Sequence, residues 1–162
     1  MIVKNKILFL LCGPSGAGKS TWVEKKLENE NGIWCSRDAV RFHLLNDSDD
    51  YFAHEDEVFE TWITQIKRAL RTPLVNVYVD ATHLSEKARN KVLSRLDLTD
   101  VSVIPVSFKP SLETCLKQNS YREGRARVPE NVIKDMYNKY KAPTMNEKYE
   151  YEAIIEVGET NV

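Results

Sequence analysis

Ile7-Leu8-Phe9-Leu10-Leu11-Cys12-Gly13-Pro14-Ser15-Gly16-Ala17-Gly18-Lys19-Ser20 joins an uninterrupted apolar run to a glycine-rich turn. An apolar run of this length, with no polar alternation, is the pattern of a strand covered on both faces. Gly13–Ser20 satisfies G-x-x-x-x-G-K-[ST] in full, and it stands after a strand and before a helical pattern, as a phosphate-binding loop requires. The helix that follows is expected over Lys19–Asn29, with Trp22, Val23 and Leu27 on its packed side. The residue types suit the chemistry. The amides of Gly13, Ser15, Gly16, Ala17 and Gly18 wrap phosphate oxygens, and glycine lets the backbone come close to them. The helix N-terminus favours the same anion. Lys19 neutralises the outer phosphates, Ser20 ligates magnesium and Thr21 contacts the first phosphate. The predicted ligand is a nucleoside triphosphate with Mg2+.

Working outward, short apolar runs alternate with helical patterns. Strands are expected at Ile33–Cys35, Leu74–Val79, Val101–Phe108 and Glu152–Val157. Pro105 suggests that the fourth strand lies at an edge or carries a bulge. Helices are expected from Ser36 or Asp38 through Leu45, over Tyr51–Leu70, from a Ser85 cap through Leu96, from a Ser111 cap through Gln118, and from Pro129 through Tyr140. Glu86 to Asn90 reads as an ordinary polar first turn. The alternation predicts a three-layer α/β sandwich around a mostly parallel sheet, a single domain over 1–162. The polar, basic stretch Asn119–Pro129 reads as a lid at about 119–130.

The formal net charge of the 162 residues is -1, so no overall field draws nucleic acid or membrane to the chain. The first apolar run is too short to span a bilayer and lacks a cleavage site, so no membrane partner is expected. Cys12, Cys35 and Cys115 are far apart and odd in number. They read as core thiols of a reducing compartment, hence a cytoplasmic protein, in a host cytoplasm if phage-encoded.

Two aspartates follow strand ends, where this sheet class gathers its chemistry. Asp38 sits three residues before Arg41, on neighbouring positions of a first helical turn. Either Asp38 takes a proton from an acceptor hydroxyl while Arg41 holds a phosphate, or Asp38 caps the helix and Arg41 is solvated. Asp80 either holds a magnesium-bound water or the acceptor, or belongs to the loop. The acidic run Asp47, Asp49, Asp50, Glu55, Asp56 and Glu57 reads as a solvated loop and helix N-terminus rather than a metal site. Arg122, Arg125 and Arg127, around Gly124, fit a closing lid that stabilises charge in transfer. His83 lies beside Asp80 and is assigned a structural or substrate-contact role rather than catalysis. Trp22, Trp62 and Phe59 read as core. Trp34 and Tyr51 stay open between core and site.

Taken together, Ser36-Arg37-Asp38 with Arg41, Asp80-Ala81-Thr82-His83-Leu84, Phe108-Lys109, Arg122 to Pro129 and Val132-Ile133 resemble the kinase domain of the phage-type 5'-polynucleotide kinases, within a wider AAA_33-like and zeta-toxin-like group of small P-loop kinases. The resemblance runs over almost the whole chain. It implies strand order 2-3-1-4-5, ATP as donor, and transfer of its γ-phosphoryl group to a 5'-hydroxyl on single-stranded DNA or RNA. By the same resemblance Asp38 is the general base, Arg41 binds the phosphate next to the acceptor nucleoside, and Asp80 lies beside the acceptor. Arg127 touches the donor phosphates, with Arg122 and Arg125 as further donor or base contacts. The family often has asparagine where this chain has His83. The wider group includes kinases of nucleosides and small molecules, which is the alternative reading.

Overall fold

The apolar run forms β1, Lys6–Cys12. Its side chains alternate, so Leu8, Leu10 and Cys12 enter one core and Phe9 and Leu11 the other. A strand loaded on both faces can only be central. It pairs in parallel with β3, Asn76–Asp80, on one side and β4, Val101–Phe108, on the other. β2, Gly32–Ser36, flanks β3, and β5, Ile155–Val157, flanks β4, also in parallel. The order is β2-β3-β1-β4-β5, as expected. This computed structural model describes residues 6–159; residues 1–5 and 160–162 of the expected domain lie outside the described residues.

Helices cover both faces. α2 (Arg37–Leu44), α3 (Glu55–Arg71) and α4 (Glu86–Leu93) bring Val40, Val58, Trp62, Ile66, Val92 and Leu93 to the core on one side. α1 (Lys19–Leu27), α5 (Leu112–Ser120) and α6 (Glu130–Lys139) bring Val23, Cys115 and Ile133 to the other. Because every strand runs the same way, Cys12, Ser36 and Asp80 arrive at one edge of the sheet, and the loops after them meet there. Among the described residues no helix is long and apolar enough to cross a membrane. All three cysteines are buried and free, and burial pushes the Cys12 and Cys35 thiols up to about 12.

Several expectations are corrected. β4 is interior, not an edge. Pro105 is tolerated there because it faces Leu10 of β1 while the β5 ladder starts only at Val106. α3 starts at Glu55 rather than Tyr51, because His54 takes a left-handed conformation that breaks the helical run. β3 starts at Asn76, since Leu74 is left-handed and almost wholly exposed in the preceding turn. β5 begins at Ile155 rather than Glu152.

The supposedly polar first turn of α4 also hides a buried charge. Arg89 donates through Nε and Nη2 to both oxygens of Glu147, at 2.9 and 2.7 Å, and through Nη1 to the carbonyls of His83 and Lys141. Tyr151 and the Thr144 amide complete the Glu147 shell. This pair straps residues 141–151 across the end of the sheet. Burial alone would raise the Glu147 carboxyl, but these donors hold it below its usual 4.5. The carboxylate therefore stabilises the fold fully above about pH 4.5, and that contribution is lost as pH falls through the lower folded value. Glu147→Ala leaves Arg89 buried without a counter-charge and is expected to cost about 3–5 kcal/mol by urea unfolding at neutral pH. Glu147→Gln should flatten the acid limb of the stability curve.

Candidate active site

The loop between β1 and α1 is shaped by lack of room. A Cβ on Gly13 would stand 2.4 Å from the Phe108 carbonyl oxygen, and one on Gly16 would stand 2.3 Å from that of Cys115. Both glycines also have positive φ, +153° and +81°, so no other residue satisfies both the space and the conformation. The Gly13 amide donates to the Thr82 carbonyl at 2.8 Å, which fixes the loop to the chain beyond β3. Lys19 Nζ donates to the Gly13 and Pro14 carbonyls at 2.8 and 2.9 Å. Its third N–H remains for an anion. Burial lowers the Lys19 ammonium, and nearby Asp80 acts against that. Thr21 is exposed on α1.

Asp80 ends β3 buried, its Oδ2 accepting from Trp34 Nε1 at 2.9 Å. Burial raises its carboxyl, opposed by Lys19 and by the Trp34 bond. Ser20 and Asp80 line the same cleft. No group of three or more His, Cys, Asp or Glu suited to a metal occurs among the described residues. The Ser20 hydroxyl and the Asp80 carboxylate are hard oxygen ligands that would suit magnesium, directly or through water.

The other wall is an ionic cluster at the end of β2. Ser36 caps α2 through its hydroxyl, accepting from the Ala39 amide, and so sets the first turn that carries Asp38. Arg41 is only 6% exposed. Its Nε and Nη2 donate to the two oxygens of Glu55 at 2.7 and 3.0 Å, and its Nη1 donates to Asp38 Oδ1 and to the Tyr51 hydroxyl. Tyr51 in turn donates to the same Asp38 oxygen at 2.9 Å. Arg37 adds a bond to Glu55. Burial works against the charge on Arg41, but the bonds to Glu55, together with the electrostatic influence of Tyr51, Asp38 and Glu55, outweigh it and raise the guanidinium. Asp38, whose side chain is 54% exposed, thus has one oxygen pinned by two donors and the other without a partner among the described residues.

Glu55 is the residue that sequence reading missed. It belongs to an acidic run expected to be solvated, yet it is the anchor of the whole cluster. Trp34 and Tyr51 both line the cleft.

The lid is closed on itself at its base. Buried Asn119 exchanges two bonds with the Val128 backbone, at 2.7 and 2.9 Å. Gly124, with φ +59°, starts a 3-10 turn over Gly124–Ala126. Arg122 lines the cleft, and its charge acts on both Lys19 and Asp80. Arg125 instead donates through Nη2 to the carbonyls of Asn46, Asp47 and Asp49, docking the lid on the loop before α3. Arg127 is exposed beyond the turn and is not on the cleft wall. Of the three lid arginines, Arg122 lines the cleft.

His83 lies under the site rather than on its wall. It is buried against Trp62, and its Nδ1 is 2.5 Å from the Leu11 carbonyl, which can only accept, so the proton sits on Nδ1. Burial lowers its pKa to about 4, leaving a neutral ring.

Phosphate loop, ionic cluster and lid enclose one cleft of about 640 Å³. Residues 8–143 match the AAA_33 family, described as an AAA domain. The chain belongs to that family. Among solved structures its fold is similar to a chain of the Pnkp1/Rnl/Hen1 RNA repair complex, with TM-score 0.68 and 19% identity over 83% of this chain and 43% of that one. This AAA_33 chain thus spans less than half of that chain's length. It is also similar to Kti12 of Chaetomium thermophilum in complex with ADP-AlF3, with TM-score 0.62 and 13% identity over 93% and 88% of the two chains. A sugar kinase from Janibacter sp. HTCC2649 gives TM-score 0.60 and 15% identity over 96% and 85%. At these identities the likeness is one of fold. No curated protein sequence matches the chain.

The placement of the arginines gives a direct test. Arg122→Ala is expected to lower kcat by on the order of 10², the loss typical of one aimed transition-state donor. Arg127→Ala should leave kcat nearly unchanged at saturating ATP and acceptor. The reverse ranking in steady-state kinetics would return the role to Arg127.

Proposed function

We propose that the chain is a phosphotransferase that moves the γ-phosphoryl group of ATP to a hydroxyl, and that this hydroxyl is the 5' end of DNA or RNA. The observation that carries the reading is a single cleft with a phosphate loop on one wall and, on the other, an oriented carboxylate with one oxygen free of protein partners. The free oxygen of Asp38 takes the acceptor proton. The loop amides and Lys19 hold the donor phosphates, and Arg122 adds positive charge where it develops in transfer. Glu55 keeps Arg41 in place, and Arg41 with Tyr51 keeps Asp38 in one rotamer. Ser20 would ligate magnesium and Asp80 would orient its water. When bound there, magnesium would supply charge neutralisation of the donor phosphates.

A small-molecule or nucleoside acceptor is the second reading, and two observations favour it. Arg41 is already committed to Glu55 and Asp38, which leaves it little donor capacity for a phosphate beside the acceptor. The structural likenesses, extending from RNA repair to a sugar kinase, suit the broader acceptor class better than polynucleotides alone.

Terminally labelled ATP with a panel of 5'-hydroxyl oligonucleotides, nucleosides and sugars separates the two. Preference for a sugar would end the nucleic-acid reading. Asp38→Asn keeps size and capping ability but loses the base. It should remain folded, bind ATP and transfer roughly 10²–10⁴ more slowly. Arg41→Ala tested on acceptors with and without a 3'-phosphate gives a further outcome. A larger loss on the phosphorylated acceptor assigns Arg41 to that phosphate. Equal proportional losses make it a positioning residue for Asp38.

A further inference from the structure

Phe42, Tyr51 and Phe52 share a wall of the cleft with Asp38. Tyr51 packs edge-on against both phenylalanines, with ring centroids 6.1 Å from Phe42 and 4.8 Å from Phe52. The tyrosine is itself immobilised. Its hydroxyl bonds to Asp38, and the Arg41 guanidinium lies 4.6 Å from its ring centroid. The phenylalanines are not covered: Phe52 is 65% exposed and Phe42 37%. Phe52 thus stands one tyrosine ring away from the Asp38 carboxylate. Arg125 docks the lid on the loop that leads into Tyr51 and Phe52, so the position of this aromatic edge is tied to the lid.

We propose that Phe42 and Phe52, braced by Tyr51, form a stacking ledge for the 5'-terminal nucleobase of the acceptor. The proposal rests on the nucleic-acid reading above. A sugar would leave this apolar area in water, whereas the face of a base covers it. Because every base has a π-face, the ledge discriminates base from no base rather than one base from another. It also supplies acceptor recognition that does not depend on Arg41 having spare donors.

The test compares kcat/KM for a short 5'-hydroxyl oligonucleotide and for the same strand with its first residue replaced by an abasic tetrahydrofuran, which keeps the 5'-hydroxyl. Wild-type protein is expected to prefer the base-bearing strand by roughly tenfold or more, the scale of one base–aromatic stack. Phe52→Ala and Phe52→Leu should each lose most of that preference, and Phe52→Tyr should retain it. Thermal melts of all three check that the fold is intact, as expected for a side chain this exposed. Equal wild-type transfer to both strands, or a preference that survives Phe52→Ala, overturns the ledge while leaving the polynucleotide kinase reading in place. Transfer to sugars with none to either strand overturns both.

Discussion

Everything at the site depends on the absence of space beside Gly13 and Gly16. The loop lies against the carbonyl of Phe108 at the end of β4 and that of Cys115 in α5, both too close for any side chain. This contact does two things at once. It holds the backbone in a bend that only glycine satisfies, and it fixes that bend to rigid elements on either side. A phosphate cradle on a mobile loop would have to order itself at each turnover. Here the ordering is part of folding, so less binding energy is lost to it.

The opposite wall solves a different problem. A carboxylate proposed as a general base must be charged, oriented and still accessible. Asp38 meets the last two conditions by giving one oxygen to Arg41 and Tyr51 and keeping the other free. Arg41 could not stay buried beside a single exposed carboxylate. Glu55 supplies the second counter-charge in bidentate form, which makes the burial tolerable. The cluster of Arg37, Arg41, Asp38 and Glu55 is therefore neutral overall.

The two walls meet because the sheet is parallel throughout, and the remaining structure keeps that edge fixed. Arg89, which holds the strap from Lys141 to Tyr151 through Glu147 and the Lys141 carbonyl, also donates to the carbonyl of His83, three residues beyond Asp80. His83 in turn reaches the Leu11 carbonyl near the end of β1. A chain of polar contacts thus runs beneath the floor of the cleft from the C-terminal segment to the phosphate loop. It accounts for a buried arginine and a buried neutral histidine that lie off the cleft wall.

Local pattern determined the phosphate loop, the strand–helix alternation, the Ser36, Ser85 and Ser111 caps and the candidacy of Asp38 and Asp80, because each depends on neighbours within a few residues. The sheet order came from family resemblance and agrees with the strand pairing. What sequence could not decide was which charges are buried. Glu55 is fourteen positions from Arg41, and Glu147 is 58 from Arg89. No helical or strand period links either pair. That Arg122 rather than Arg127 lines the cleft was equally hidden, since no local pattern distinguishes the two. Tertiary structure also placed Pro105 inside the sheet, where the β5 ladder begins one residue too late to need its missing N–H. In each case the deciding quantity was a partner brought from far along the chain, and a charge or a missing donor acquires its meaning only from that partner.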